Sequence, residues 1–333
     1  MSAVTYNDGQ VIVLSRQQQQ QQQQNPDSPP RRIAWLCHAV DARHLAALDP
    51  SVAHLTNEAL EEYFEPRGGF ANPAVMSCVE VQSRTGAKTL LYPILLPVTS
   101  QWMKRRIESR RRQECQVLIQ KGVELARYLD CGVVALGQYT SIATRNGRSI
   151  DSYGRGVTTG NRYAVALAIQ GINRALHERV LTTQNQTLVI VGAAGNIGRA
   201  CAEILTPQYR QTILLGSRKS ASRQRLQEIA AALPRVEVAV ETDAIARGDV
   251  VLVSTNSVTT PLNASHFKAE AIVCDVSVPA NLDLRVATLR PDLEILTVGI
   301  VRLPFGEELH IKGFPLPTGY TFGCKHSLIC FRT

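Results

Sequence analysis

The chain has 333 residues, 44% of them hydrophobic, and a formal net charge of +8. That length can bury one large core or two smaller ones, no apolar run reaches spanning length, and the first residues lack the charged-then-apolar layout of a secretory signal, so a cytoplasmic protein is expected. Eight cysteines occur without a CxxC pair and without histidines at ligand spacing, which predicts reduced thiols and no metal site.

Residues 1–30 read as an unstructured tail: the glutamine run Gln17–Gln24 leads into a Pro-rich stretch that buries too little apolar surface to offset its ordering entropy. Order is expected to begin at Ile33–Cys37. Helical signals follow at Asp41–Leu48 and Thr56–Phe64, then two strands, Ala74–Val81 and Lys88–Leu96, around a turn at Arg84–Ala87. One long helix is predicted from Thr99 to Leu129, with Ile107, Leu118, Leu125 and Leu129 as apolar positions and Gly132 just beyond its end. It carries two basic triplets, Lys104-Arg105-Arg106 and Arg110-Arg111-Arg112. A charge run is commonly a solvated helix face, and an acidic partner could dock on it. No aromatic residues interleave with these cations, which argues against nucleic acid and leaves at most peripheral membrane contact. Val133–Leu136 reads as a buried strand, and Asn161 to Val180 as a helix with Val165, Ala168, Ile172 and Leu176 on one side.

From Thr187 onward the pattern alternates strand and helix. Strands are expected at 187–192, 212–216, 236–241, 249–254, 271–276 and 294–300, and helices at Ser222–Leu233 and Pro261–Lys268. This predicts an α/β fold with a doubly wound parallel sheet, a dinucleotide domain at 181–303, preceded by a smaller α/β substrate domain at 31–160 and a linking helix at 161–180. Residues 304–333 form a C-terminal segment. The stretch Gly192-Ala193-Ala194-Gly195-Asn196-Ile197-Gly198 sits between a strand and a helix, where glycines let backbone N–H groups reach a pyrophosphate. Gly192 is expected to make the turn, Gly195 to permit close approach and Gly198 to let helix and strand pack. The strand at 212–216 ends in Gly216-Ser217-Arg218-Lys219, with a hydroxyl and two cations where an NAD site carries an acid. Those residues suit a 2′-phosphate, so NADPH is the expected cofactor. They could equally open a solvated helix.

Three further clusters could carry chemistry. Thr158-Thr159-Gly160-Asn161 precedes a helix; Thr159 and Asn161 could meet the cofactor across the interdomain cleft or simply cap the helix. Ser254, Thr255 and Asn256, Asp275–Pro279 and Val298-Gly299 lie at predicted carboxyl strand ends, where a nicotinamide faces the sheet. Cys324 follows Gly323 and precedes Lys325; by composition a lone cysteine is usually a small buried hydrophobe.

The order of the motifs Ala135–Ile142, Thr158–Asn161, Gly192–Gly198, Asp275 to Leu282 and Phe322–Cys324 resembles the long-chain acyl-(acyl-carrier-protein) reductases of cyanobacteria, from about Leu95 to Cys324. The resemblance implies that Cys324 takes an acyl group from acyl-carrier protein or acyl-CoA as a thioester, which NADPH then reduces to a fatty aldehyde. A carrier protein is acidic, so the two basic triplets could be its docking face, with a solvated helix face as the alternative. The family continues with helical sequence where this chain ends nine residues after Cys324, which suggests truncation or a frameshift. Two other readings stay open: a shikimate- or quinate-type dehydrogenase, which needs a Lys–Asp pair from the substrate domain, where Lys88 and Lys121 occur but neither in a convincing setting, or an NADP-binding remnant without activity.

Overall fold

The computed structural model describes residues 3–7, 10–14, 30–46, 50–67, 72–82, 88–255, 262–277, 280–283, 285–297, 300–302 and 320–322. The leading segment is not featureless. Strand β1 (Ala3–Asn7) pairs antiparallel with β2 (Gln10–Leu14). Val4, Thr5, Val11, Ile12 and Val13 are β-branched types that favour such a pair of strands, a local signal that the glutamine- and proline-rich composition of residues 1–30 hides.

The first sheet is mixed. Strands β3 (Arg31–Ala39), β6 (Lys88–Thr99), β7 (Val133–Leu136) and β8 (Gly156–Thr158) run parallel, while β4 (Ala74–Val75) and β5 (Val79–Gln82) pair antiparallel with β6. The stretch expected as one strand at 74–81 is therefore two short ones. Helix α1 (Ala42–Ala46) and helix α2 (Asn57–Arg67) form a small cluster with Val52 and Leu60. The expected long helix is broken into α3 (Ser100–Glu108) and α4 (Arg112–Tyr128). The break has a local cause. The Ser109 hydroxyl donates to the Arg105 carbonyl at 2.7 Å, and Arg110 turns left-handed at φ 64° amid like charges. Trp102, Met103, Cys115, Leu118 and Ile119 of the two helices pack on Leu36, Ile94 and Leu96 of the sheet. Helix α5 (Tyr139–Ala143) and β8 had no strong signal, being only a turn and three residues long.

Helix α6 (Asn161–Glu178) is part of the second core rather than a free linker. Its Val165, Ala168, Ile172, Ala175 and Leu176 pack with Leu188, Ile190, Val250 and Leu252. The second sheet contains β9 (Thr187–Val191), β10 (Gln211–Leu215), β11 (Val236–Ala239), β12 (Val250–Val253), β13 (Ile272–Asp275) and β14 (Glu294–Thr297). Their order is β11-β10-β9-β12-β13-β14, all parallel, so the chain reverses direction of winding between β9 and β12. That is the doubly wound dinucleotide fold, with its ligand crevice at the switch point. Helices α7 (Asn196–Leu205) and α8 (Ser220–Ala231) join α6 on one face; Ala244, Ile245, Phe267 and Val286 of α9 (Val286–Leu289) cover the other. Alternate residues of β9 enter opposite cores, Leu188 and Ile190 one, Val189 and Val191 the other, which is why a continuous apolar run marks this strand. The helix expected at 261–268 is a single 3₁₀ turn, Ala264–His266, and the strand expected to reach residue 300 stops at Thr297, with β15 (Ile300–Arg302) pairing β16 (Tyr320–Phe322) separately.

Candidate functional site

The site grows from the end of β9. Gly192 turns at φ 83°, and its N–H donates to the Leu215 carbonyl at 2.8 Å. A Cβ at Gly192 would lie 2.9 Å from the Ser254 carbonyl oxygen, and one at Gly198 would lie 2.5 Å from the Gly192 oxygen and 2.7 Å from Ser254 Oγ. No side chain fits either position. Both glycines hold α7 close against the carboxyl ends of β9 and β12. Gly195 caps α7 without a side-chain acceptor, so the N–H groups opening the helix at Asn196, Ile197 and Gly198 are free of a side-chain cap. Such a cradle suits a diphosphate at a helix N-terminus. The residues present therefore fit a nicotinamide dinucleotide, with Gly192, Ala194, Gly195, Asn196, Ile197 and Gly198 around the phosphates.

Beyond β10, the Ser217 N–H donates to Ser222 Oγ at 3.2 Å and Lys219 precedes α8. The Arg218 guanidinium is paired with Glu241, just past the end of β11. Ser254 donates its hydroxyl to the Val191 carbonyl at 3.2 Å, stitching β12 to β9 at the crevice. Thr255 is tied in by its carbonyl, which accepts from Asn281 Nδ2 at 2.7 Å. Asp275, buried, accepts three backbone N–H bonds, from Ser277 at 2.9 Å, Asn281 at 2.7 Å and Leu282 at 3.1 Å. Its carboxylate ties Ser277, Asn281 and Leu282 to the carboxyl end of β13. Asn281 thus joins the two late strand ends, a role no local signal in the sequence announced.

Thr159 and Asn161 lie at the amino end of α6. The cap there is Gly160 at φ 70°, with no side-chain cap bond, so neither hydroxyl nor amide serves as the cap. Gly299 and Cys324 lie outside the described residues. Of the basic residues, Lys104 pairs with Glu108, Arg106 with Glu65 and Glu114 while its guanidinium stacks 3.9 Å over the Trp102 ring, and Arg111 pairs with Glu114. Arg112 donates to the Ile142 carbonyl. Arg105 and Arg110 complete the two triplets without an ion pair among the described residues.

At the carboxyl end of the first sheet stands His38, which no pattern in the sequence marked. It is buried, its Nδ1 lies 2.9 Å from the Ala39 carbonyl, and its Nε2 accepts the Tyr139 N–H at 3.2 Å. Burial lowers its pKa to about 4, against a smaller opposing pull from the Ala39 carbonyl. A neutral imidazole protonated at Nδ1 satisfies both contacts. Next to Tyr139, Gln138 is held at φ 53° and its Oε1 is buried without a hydrogen-bond partner. Lys88 pairs with Glu80 at 3.0 Å, and Lys121 donates to Asn72 at 3.2 Å, so neither lysine stands in a Lys–Asp pair. Among the described residues no group of three or more His, Cys, Asp and Glu could hold a metal ion, and no helix is long and apolar enough to cross a membrane.

The family described as Shikimate / quinate 5-dehydrogenase matches residues 175–298, the end of α6 and the six-stranded parallel sheet. No curated protein matches. Solved structures that are similar include a dipicolinate synthase from Bacillus halodurans, 17% identical, covering 50% of this chain and 57% of that one, with a TM-score of 0.36. The iminosuccinate reductase of Paracoccus denitrificans in complex with NAD+ is 23% identical over 38% of this chain and 40% of that one, TM-score 0.28. A chorismate mutase/shikimate 5-dehydrogenase fusion protein from Clostridium acetobutylicum is 12% identical over 81% and 85%, TM-score 0.36. The chain spans less than two thirds of the length of the first two.

The family match corrects the resemblance to acyl-(acyl-carrier-protein) reductases. Thioester reduction, a fatty aldehyde product and a role in lipid metabolism fall with it. Several residues of the motifs behind that resemblance make scaffold contacts. Thr140 and Ser141 return their hydroxyls to the Gly137 and Gln138 carbonyls, Asp275 organises a loop, and the glycine turn serves many nicotinamide enzymes. Residues 187–297 form a Rossmann-type parallel sheet whose glycine turn fits a nicotinamide dinucleotide, within the stretch that the family model matches.

Proposed function

We propose that the chain is an NADP(H)-dependent dehydrogenase with a shikimate/quinate-type dinucleotide domain, acting on a secondary alcohol of a small polyol or on the matching ketone, with proton transfer by a group other than Lys88 or Lys121, which pair with Glu80 and Asn72. The observation that carries this reading is the family match to residues 175–298, which coincides with the parallel sheet and its glycine turn. In this reading the first sheet, within residues 31–160, holds the substrate, and the second, within 181–303, holds the dinucleotide. When bound, the nicotinamide supplies hydride transfer. The chain's own residues orient it: the first turn of α7 takes the diphosphate, Ser217, Arg218 and Lys219 take the 2′-phosphate, and Ser254 and Thr255 border the nicotinamide side of the crevice, with Thr159 and Asn161 opposite. Free cysteines at six described positions support work in a reducing compartment, the cytoplasm.

The test is an assay of the full chain with shikimate and quinate, each with NADP+ and with NAD+, following the reduced nicotinamide. Turnover of either polyol with NADP+ ahead of NAD+ is expected. NADPH binding without turnover of either polyol would remove the substrate assignment and leave the cofactor assignment standing.

A further inference from the structure

The turn after α5 is strained and fixed. Arg145, Asn146 and Gly147 are three successive left-handed residues, at φ 53°, 61° and 86°. That conformation crowds the Cβ of the first two against the following carbonyl, and Arg145 has no side-chain preference for it. Nothing about the turn is loose. The Asn146 N–H donates to the Ser141 carbonyl at 2.7 Å, the Gly147 N–H to Thr144 Oγ1 at 3.1 Å, and the Thr144 hydroxyl to the Thr140 carbonyl at 2.7 Å. Strain locked in this way is found where it aims something.

What it aims is a side chain at the other half of the molecule. Asn146 Oδ1 accepts a hydrogen bond from Asn196 Nδ2 at 3.1 Å, and Asn196 is the first residue of α7. The preceding Arg145 is exposed, and neither it nor Arg148 has an ion-pair partner among the described residues. The phosphate turn itself is short of positive charge. Residues 192–198 contain no lysine or arginine, and Arg199 is taken by Glu203 at 2.8 Å. A helix N-terminus offers only about half a charge, against about two on a diphosphate.

We propose that the 145–147 turn is the second wall of the diphosphate site: Asn146 positions Asn196, and Arg145 supplies the missing cation. The inference rests on the dinucleotide lying on the Gly192–Gly198 turn. It gives the first domain a direct part in holding cofactor, so that a bound dinucleotide braces the two domains against each other.

Calorimetric binding of NADPH and of adenosine 2′-monophosphate, which lacks the diphosphate, tests it on the full chain. Arg145→Ala should weaken NADPH about tenfold, the loss of one charge-assisted contact, and leave adenosine 2′-monophosphate unchanged. Asn146→Gly, which relieves the strain but removes the amide, should weaken NADPH by about threefold with the same selectivity. NADPH binding by Arg145→Ala as tight as by the parent chain overturns the proposal. So does an equal loss for both ligands, which would mean general distortion. A parent chain that binds neither ligand removes the cofactor assignment itself, a result distinct from either.

Discussion

The two sheets solve different problems. The second is six parallel strands in unbroken register, with both faces buried and its glycines at the switch point. The first is mixed, shifts register between His38 and Ala39, and carries six of the nine non-glycine left-handed residues found among the described ones: Arg110, Asp130, Gln138, Arg145, Asn146 and Tyr153. A cofactor common to many enzymes can be held by a standard crevice built from regular strands. The first half departs from regular geometry in its loops, and two of those six residues, Arg145 and Asn146, lie in the turn that reaches the second half, where Asn146 meets Asn196. Regular strands hold the crevice of the second half, while bent loops of the first supply the side chains that reach it.

The contrast breaks most sharply at Gly198. Valine there would drive its Cβ into the Gly192 oxygen, Ser254 Oγ and the Ala193 Cα, two of them backbone contacts that cannot turn aside. Gly198→Val is expected to abolish NADPH binding and to cost about 3 kcal/mol or more of stability. Thermal unfolding with nucleotide titration checks both. Retention of parent-like NADPH affinity would show that the crevice has room that those Cβ distances deny.

His38 is the corresponding probe of the first sheet. Its folded pKa, about 4, lies below the ordinary value near 6.5 because burial disfavours the cation. Between those two values the unfolded chain binds a proton that the folded chain refuses. Stability from this group is therefore complete above about pH 6.5 and is lost as the pH falls toward 4, a change on the order of 3 kcal/mol. Urea unfolding at several pH values should show this acid limb, and His38→Gln should flatten it. An identical limb in the variant would assign the acid sensitivity to other groups.

These two sites also show what the sequence could disclose. The switch-point strand was legible because Leu188, Val189, Ile190 and Val191 are all apolar and a glycine follows at once; that instruction is local. The pairing of Arg218 with Glu241 joins residues 23 apart in the chain, and no local pattern marks it. His38, Asn146 and Asn281 gave no signal. Each acts through a partner far away in sequence, Tyr139, Asn196 and Thr255 respectively, and single polar residues in loops have no period to read. The long helix failed at Ser109–Arg111 for a related reason: its apolar spacing continues across the break, while a hydroxyl and crowded cations decide the backbone there. The acyl-reductase resemblance failed because the glycine turn and strand ends that carried it are common to many nicotinamide-binding families.

Asp275→Asn sharpens the comparison from within the regular half, because order there depends on a buried charge. The carboxylate accepts N–H bonds with both oxygens. An amide would turn an NH₂ group toward at least one backbone donor and leave that donor unsatisfied. A loss of about 2 kcal/mol is expected, with faster hydrogen exchange of the Ser277, Asn281 and Leu282 amides. Unchanged exchange at those amides would mean that the loop after β13 is held by something else.

The smallest effect expected belongs to Arg218, and it separates the phosphate from the rest of the nucleotide. Its pairing with Glu241 is largely exposed, and exposed pairs are weak, so a 2′-phosphate carrying more charge than a carboxylate can draw the guanidinium away at little cost. Arg218→Ala should raise the dissociation constant for NADPH about tenfold and leave NADH within about twofold. Glu241→Gln should have the opposite sign, tightening NADPH by about two- to threefold as it frees the same guanidinium. Equal weakening of NADPH and NADH in Arg218→Ala would mean that the side chain grips the adenine that both share. The NADP preference would then have to rest on Ser217 and Lys219 alone.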